Sequence, residues 1–200
     1  MTTSLQRREH ALFSTAIGSC GIAWQGDIIV ATTLPEASEA ATRSRILQRA
    51  KSEVEAKPPP AINDAIAAIT ALLAGARTDL SHLACDLGPD DEFNTRVFRV
   101  ALAIPPGQTQ TYGDVATRLG DKRLAQAVGR ALGRNHLPII VPCHRVLGAN
   151  GKLTGFSATG GVATKLRMLE IEGAMVGETA GLFDLLPLAV KPNASARRDG

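Results

Sequence analysis

The order of the predicted elements along the chain constrains its fold most strongly. Three short apolar segments come first, at 11–17, 21–24 and 28–31, and a turn-like Gln25-Gly26-Asp27 separates the second from the third. Short apolar runs separated by tight turns predict a small antiparallel sheet. Beyond Gly88 the apolar residues recur instead at the spacing of helices. Strands that precede a run of helices predict an α+β protein.

Helices are also predicted beside this sheet. Residues 37–56 form an amphipathic pattern that Pro58 ends, and residues 62–74 form a second, alanine-rich one. Residues 80–87 predict a further strand, after which Gly88-Pro89-Asp90-Asp91 marks a boundary. We therefore predict an N-terminal α/β domain over residues 1–88, a C-terminal domain over 89–175 and a tail over 176–200.

The C-terminal domain is predicted to be mostly helical. Asp90 or Asp91 can cap a first helix, whose apolar face is Phe93, Val97, Phe98, Ala101 and Leu102. A short helix over 111–119 ends at Gly120, and Asp121 can cap the next helix, over 122–132. Two short helices with a glycine turn predict a helix-turn-helix, although helical hairpins without DNA function share this pattern. A last helix is predicted over 161–173, with Val162, Leu166 and Leu169 facing inward.

A cysteine at the end of an apolar run is the strongest candidate for a functional group. Residues 137–141 are apolar throughout and lead into Pro142-Cys143-His144-Arg145. The proline ring fixes its own φ, and a neighbouring histidine and arginine favour the thiolate, which is the nucleophile. A free cysteine is nevertheless often a small buried hydrophobe, so this dipeptide alone does not establish catalysis.

Composition limits the location and the partners of the protein. The chain is 44% hydrophobic and carries a net charge of +3, and no apolar run is long enough to cross a bilayer. Three cysteines, an odd number, argue against a disulfide framework, so we expect a soluble cytoplasmic protein. Seven basic but two acidic residues lie between Gln108 and Gly160. This excess predicts a polyanionic partner, and a solvated basic face explains it equally well.

A metal site is not predicted. The candidate ligands in the N-terminal part are His10, Cys20, His82 and Cys85, and their spacing matches no compact zinc motif. Because Cys20 and Cys85 stand in apolar, strand-like segments, we expect both to be buried core residues.

The chain from about residue 93 to 174 resembles the O6-alkylguanine-DNA alkyltransferases, also called methylated-DNA–protein-cysteine methyltransferases. The resemblance rests on the following pieces: Pro142-Cys143-His144-Arg145-Val146, Ala127-Val128-Gly129, Asn135, Gly155-Phe156-Ser157, and Leu169 with Glu172-Gly173. It implies a winged-helix-like helix-turn-helix in the C-terminal domain. The N-terminal domain, which would be ribonuclease H-like, matches the family only in general layout.

The resemblance also implies an activity. A monomer of this family binds double-stranded DNA, rotates an O6-alkylguanine out of the stack and transfers the alkyl group irreversibly to its own cysteine, without a cofactor or a membrane. O4-alkylthymine is a further candidate substrate. Three groups of residues carry over: catalytic Cys143, His144, Glu172 and Asn135; substrate-binding Tyr112, Val146, Phe156 and Ser157; and DNA-binding Arg123, Gln126, Ala127, Gly129, Arg130, Arg134 and Arg145.

Two departures from the family pattern stand out. Gln126 occupies the position of an arginine that fills the gap left by the flipped nucleotide, which predicts slower or weaker repair unless Arg123 or Arg130 substitutes. The segment 157–161 is two residues longer than usual, which predicts an altered tolerance for bulky alkyl groups. Two other functions stay open: a lesion-binding sensor without transfer, and a Cys-His hydrolase, for which the sequence displays no oxyanion site.

Overall fold

The computed structural model describes residues 7–52, 54–89, 92–155 and 160–175. Its N-terminal part contains a four-stranded sheet in the order β3-β2-β1-β4. The first three strands, β1 (Glu9–Thr15), β2 (Gly18–Gln25) and β3 (Ile28–Thr33), are antiparallel, as predicted. A short strand β4 (Val54–Glu55) pairs with β1 in parallel, so the whole sheet is mixed.

Two helices accompany the sheet, α1 (Glu39–Ala50) and α2 (Pro60–Leu73). Helix α1 begins at Ser38, whose side chain accepts from the backbone of Ala41, and ends at Lys51, which has a left-handed φ of 50°. The predicted helix over 37–56 is therefore too long, because its last residues turn back and form β4 instead.

The strand predicted over residues 80–87 is wrong. This segment contributes an isolated bridge between Cys85 and Ile29, within a stretch of turns. Asp79 accepts hydrogen bonds from both the backbone and the hydroxyl of Ser81, at 2.9 and 2.8 Å. Such side-chain bonds stabilise a turn in place of a ladder.

The C-terminal part is helical, as predicted, and contains α3 (Phe93–Leu102), α4 (Tyr112–Arg118), α5 (Ala125–Gly133) and α6 (Gly161–Ile171). Glu92 precedes α3 without a side-chain cap, and the proposed caps Asp90 and Asp91 lie outside the described residues. Short strands β5 (Gln110–Thr111) and β6 (Val146–Leu147) pair in parallel. They place the start of α4 beside the segment that follows Cys143.

Helices α4 and α5 form a compact pair. Thr111 and Asp114 form a capping box at the start of α4, and Gly120 turns the chain with a φ of 104°. Asp121 caps the next turn by accepting from the backbone of Arg123, as predicted. That turn, Lys122–Leu124, is a 3₁₀ turn, so the helix predicted over 122–132 is divided and α5 begins only at Ala125.

One apolar cluster joins the sheet to the C-terminal helices. Trp24 of β2, Ile69 of α2, Phe98 of α3 and Val128 of α5 all belong to it. Strand β3 is also bonded across the molecule, since the backbone N–H of Thr32 donates to the carbonyl of His136 at 3.0 Å and its hydroxyl donates to the carbonyl of Pro138 at 2.6 Å. The N-terminal sheet thereby holds the segment that leads to Cys143. No helix within the described ranges is both long and apolar enough to cross a bilayer.

Candidate active site

A tight turn presents Cys143. Pro142 has φ −82° and ψ 66°, the conformation of the central residue of an inverse γ-turn, and Cys143 donates its N–H to the carbonyl of Val141 at 2.8 Å. Asn135 donates to the same carbonyl at 2.8 Å and accepts from the backbone of Leu137 at 2.9 Å. Asn135, which is 6% exposed, thus braces the turn from beneath. Both acceptor positions of the Val141 carbonyl are occupied.

The chain just before this turn is strained. Ile139 has a φ of 79°, in the left-handed region that β-branched residues strongly avoid, and its side chain is buried. Such a conformation persists only where the surroundings enforce it. The hydrogen bond from Thr32 to the Pro138 carbonyl and the one from Val141 to the Leu137 carbonyl enclose Ile139 on both sides. The position of the cysteine is therefore fixed by contacts with the N-terminal sheet.

A buried polar cluster lies beside Cys143. The Nε2 atom of His144 is 2.9 Å from Oε1 of Glu172, which stands at the end of α6. Arg145 donates to both oxygens of the same carboxylate, each at 2.8 Å, and to the carbonyl of Ile104. The backbone of Gly107 approaches Oε2 at 3.4 Å. One carboxylate therefore holds both the histidine and the arginine that follow the cysteine.

The electrostatics of this cluster favour a neutral histidine and an ionised carboxylate. Burial alone would raise the pKa of Glu172, but hydrogen bonds and charge from His144 and Arg145 lower it to about 2. Burial lowers the pKa of His144 below its usual value, although Glu172 opposes this shift. The Nδ1 atom of His144 is buried and has no hydrogen-bond partner among the described residues. A buried nitrogen in this state is ready to accept a proton.

Cys143 is half-buried, and its pKa reflects opposing influences. Burial raises the pKa of the thiol, while a hydrogen bond from Asn135 and the positive charges of Lys165 and Arg49 oppose the increase. The thiolate is thus disfavoured by desolvation and favoured by the groups around it. The resting thiol remains protonated, so a base must remove its proton.

Cys143 lines a cavity of about 560 Å³. Other parts of its lining come from Tyr112 at the start of α4, from α5, and from Thr154 and Gly155. The hydroxyl of Tyr112 donates to the carbonyl of Thr154 at 3.5 Å, and burial raises the pKa of this phenol. The volume is that of a small-molecule site and suits one planar base.

The exposed face of α5 borders the same cavity. Gln126 is exposed and lines both this cavity and a neighbouring groove of about 640 Å³, which also includes Lys122 and Asn150. Arg130 lines the first cavity, whereas Arg123 is paired with Asp121 at 2.9 Å. Small residues lie between these side chains. A Cβ atom added at Gly129 would lie 3.7 Å from the Tyr112 ring.

The structure brings together many of the predicted site residues. Cys143, His144, Glu172 and Asn135 form one cluster, and Tyr112, Gln126, Gly129 and Arg130 line the adjoining cavity with Cys143. Ala127 is half-buried on α5, and Arg134 is exposed just beyond its end. The side chain of Val146 is buried, and its carbonyl accepts from the Nζ atom of Lys165 at 2.6 Å. Phe156 and Ser157 lie outside the described residues. So do residues 158 and 159 of the lengthened segment 157–161.

Arg145 requires a correction. Its proposed role in DNA binding is not compatible with its position, since the residue is 5% exposed and its guanidinium is held by Glu172 and Ile104. The cause is the 3₁₀ turn Cys143–Arg145, which directs this side chain inward. Among the cysteines, Cys20 is fully buried as predicted, while Cys85 is only partly buried.

Lys165 is a site residue that sequence reasoning missed. It is completely buried on α6, and its Nζ atom donates to the carbonyls of Val146 at 2.6 Å and Thr154 at 3.2 Å. A signal was present, because Lys165 precedes the inward-facing Leu169 by four residues and so lies on the same helical face.

The chain is similar to proteins of one family. The family model described as 6-O-methylguanine DNA methyltransferase, DNA binding domain, matches residues 92–174. A Mycobacterium tuberculosis relative named methylated-DNA–protein-cysteine methyltransferase is 42% identical over 126 residues, which cover 63% of this chain and 74% of the relative. One of the same name from Methanothermobacter thermautotrophicus is 34% identical over 153 residues, which cover 76% of this chain and 78% of the relative.

Solved structures share the fold. The structure of Mycobacterium tuberculosis OGT in complex with DNA has a TM-score of 0.66 and 34% identity, and covers 82% of this chain and 92% of that one. An O6-methylguanine-DNA methyltransferase from the archaeon Pyrococcus kodakaraensis has a TM-score of 0.65 over 84% of this chain and 99% of that one, and at 22% identity it supports the fold alone. The Cys143–His144–Glu172 cluster lies within the region that the family model matches. The chain belongs to the methylated-DNA–protein-cysteine methyltransferase family.

Proposed function

We propose that this protein repairs O6-alkylguanine in double-stranded DNA by transferring the alkyl group irreversibly to Cys143. The observation that carries the proposal is the position of Cys143, which lines a base-sized cavity and adjoins the buried His144–Glu172 pair. Relatives named methylated-DNA–protein-cysteine methyltransferase, and the similar structure of Mycobacterium tuberculosis OGT in complex with DNA, support the class of substrate.

His144 acts as the base toward the thiol. It is neutral because burial lowers its pKa, and its Nδ1 atom can accept the thiol proton through a water molecule. Glu172, bound to the opposite ring nitrogen, orients the imidazole and stabilises the imidazolium that forms. Asn135 positions the turn that carries Cys143.

The thiolate then attacks the alkyl carbon. A sulfur–carbon bond forms while the bond from that carbon to guanine O6 breaks, and the electron pair goes to guanine, which takes up a proton as it leaves. Tyr112 lines the cavity and is placed to contact the base. Val146, Phe156 and Ser157 are the other substrate-binding residues that the family resemblance implies. The thioether on Cys143 is stable, so each molecule reacts once and no cofactor takes part.

The target base must leave the stack before it can enter the cavity. We infer that α5 enters the minor groove as the second helix of a helix-turn-helix, because the small residues Ala127 and Gly129 permit close approach to the duplex. Arg123, Arg130 and Arg134 contact phosphates from this helix and its ends. Arg130 is the better substitute for the missing arginine, since it lines the cavity together with Gln126.

A reducing location fits this chemistry. Cys20, Cys85 and Cys143 are all free thiols. Free thiols persist in the reducing cytoplasm, where we place the protein.

The test is the mass of the peptide that contains Cys143. The protein is incubated with duplex DNA carrying O6-methylguanine, and the Cys143→Ala variant is treated in parallel. We expect one added methyl group on Cys143 of the wild-type protein, a stoichiometry of one per molecule, and no methylation of the variant.

Two other results would contradict the proposal. Tight binding of the modified duplex with an unmodified Cys143 indicates a lesion sensor. Multiple turnovers without a stable adduct indicate a hydrolase. Binding to DNA is expected to weaken steeply as the salt concentration rises, because the contacts from α5 are to phosphates.

A further inference from the structure

Gln126 lies at the border between two cavities. It lines the cavity that contains Cys143 and also the neighbouring groove of about 640 Å³, to which Lys122 belongs, whereas Arg130 lines only the first of the two. The residue is exposed on α5, and its amide forms no hydrogen bond with any part of the chain that the structure describes. This amide is therefore available to a ligand at the edge of the cavity.

The base opposite the lesion is the group that this amide meets. When an alkylated guanine leaves the stack and enters the cavity, its partner stays in the duplex with an unpaired Watson–Crick edge. Ala127 and Gly129 are the small residues of α5 that permit the duplex to approach closely. Gln126 stands on the same helix at the border of the cavity, so its side chain lies beside the gap that the guanine has left.

A glutamine amide suits either pyrimidine in that gap. It has one acceptor, the carbonyl oxygen, beside the two donors of its nitrogen. Cytosine presents its N4 amino group next to the acceptor N3, and thymine presents its N3–H next to the acceptor O4. Each edge thus offers an adjacent donor and acceptor, which form a bidentate pair with the amide. An arginine carries donors only, so it pairs twice with N3 and O2 of cytosine but faces the N3–H of thymine with a like group.

We propose that Gln126 determines which opposing base this protein accepts: its amide binds an unpaired cytosine and an unpaired thymine equally well. Alkylation at O6 removes the N1 proton of guanine, which lets both pyrimidines occur opposite the lesion. This role rests on the proposed function, in which the guanine leaves the duplex. Gln126 thereby differs from an arginine in its tolerance of the opposing base as well as in the rate of repair.

The test compares two duplexes that differ only in the base opposite O6-methylguanine, cytosine or thymine. The single-turnover rate of methyl transfer to Cys143 is measured on each duplex for the wild type, Gln126→Leu and Gln126→Arg. Leucine has a similar size and no hydrogen-bonding group, whereas arginine has donors only. Lys122→Gln, which removes a cation from the neighbouring groove, is the matched control for electrostatic effects.

We expect Gln126→Leu to slow transfer by about fivefold on both duplexes, so that the ratio of the two rates stays within about twofold of the wild-type ratio. Gln126→Arg should raise the cytosine-to-thymine ratio of the rates by about tenfold, because only cytosine accepts both of its donors. Lys122→Gln should slow transfer equally on both duplexes, since its contact is to phosphate.

The role of Gln126 is overturned if Gln126→Leu slows transfer on one duplex only or on neither, or if Gln126→Arg keeps the wild-type ratio. The dissociation constants of both duplexes are also measured in the Cys143→Ala background, with the same changes at position 126. If the wild type transfers no methyl group, the proposed function is wrong, and the ratio of the dissociation constants tests Gln126 without it. If transfer occurs with a ratio that does not change with the residue at position 126, only the role of Gln126 is wrong.

Discussion

Cys20 and Cys143 belong to the same apolar cluster, yet their surroundings make them chemically different. In the N-terminal sheet, burial raises the pKa of Cys20 to about 11, with a weak opposing hydrogen bond from Thr15. In the C-terminal part, burial also raises the pKa of Cys143, but Asn135 and two positive charges oppose it. Burial by itself therefore produces an inert thiol. Reactivity comes from the donors and cations that the fold places around one of the two.

The largest effect is expected where the charged groups beside Cys143 are disturbed. Glu172→Gln removes the carboxylate that holds His144 and leaves the buried Arg145 without its counterion. We expect the single-turnover repair rate to fall by about 10²–10⁴-fold, the usual contribution of a general base. Unfolding in urea should also show a loss of about 3–5 kcal/mol.

Glu170→Gln is the control for this change, because Glu170 is exposed on the same helix. It should keep the wild-type rate. A Glu172→Gln variant that repairs at the wild-type rate would show that His144 needs no orienting carboxylate.

A second measurement sharpens the contrast among the three thiols of the wild-type protein. At pH 8, Cys143 should be alkylated by iodoacetamide at least about 100 times faster than Cys20 or Cys85, because the thiolate is the reacting form. Burial raises the pKa of Cys85 to about 12, and no described residue opposes this increase. Peptide mass spectrometry of the folded protein resolves the three sites. Comparable alkylation rates at Cys20 and Cys143 would show that the groups around Cys143 do not make its thiol more reactive.

A third effect concerns stability in acid. The pKa of Glu172 is about 2 in the folded protein and 4.5 for an ordinary glutamate, so ionised Glu172 stabilises the fold above about pH 4.5. This stabilisation, about 3 kcal/mol, is lost as the pH falls from 4.5 toward 2. The difference in unfolding free energy between the wild type and Glu172→Gln should therefore shrink between pH 5 and pH 3 in urea titrations. A difference that stays constant would mean that the carboxylate is not held in its ionised form.

The sequence predicted the elements that follow from local pattern. Three antiparallel strands, four C-terminal helices and the cap at Asp121 are all visible as apolar spacing or turn residues. The grouping of Cys143, His144 and Glu172 was predicted from the family resemblance, and in the structure the residue next to Cys143, His144, is hydrogen-bonded to Glu172. The predicted strand over 80–87 failed because Asp79 and Ser81 form a local turn that an apolar pattern does not reveal.

Two charged residues are buried at positions where the sequence pattern did not predict burial. Arg145 was predicted to bind DNA, which requires an exposed side chain, but a 3₁₀ turn directs it onto Glu172. Lys165 is buried by contacts with Val146 and Thr154, which are 19 and 11 residues away in the chain. Such pairings depend on the packing of separate segments, and the helical face on which Lys165 lies does not show which groups it contacts.

The smallest effect is expected on the exposed face of α5, away from the buried cluster. Gln126→Arg introduces a planar, charged side chain that can stack and donate within the gap left by a flipped nucleotide. We expect the repair rate on duplex DNA with O6-methylguanine to rise by about three- to tenfold, a change of about 1 kcal/mol in the barrier. Reaction with free O6-benzylguanine should not change, because no duplex gap has to be filled. Arg130→Gln should slow repair of duplex DNA in the wild-type background and have less effect when it is combined with Gln126→Arg. If Gln126→Arg repairs duplex DNA no faster than the wild type, Gln126 does not limit the rate of repair.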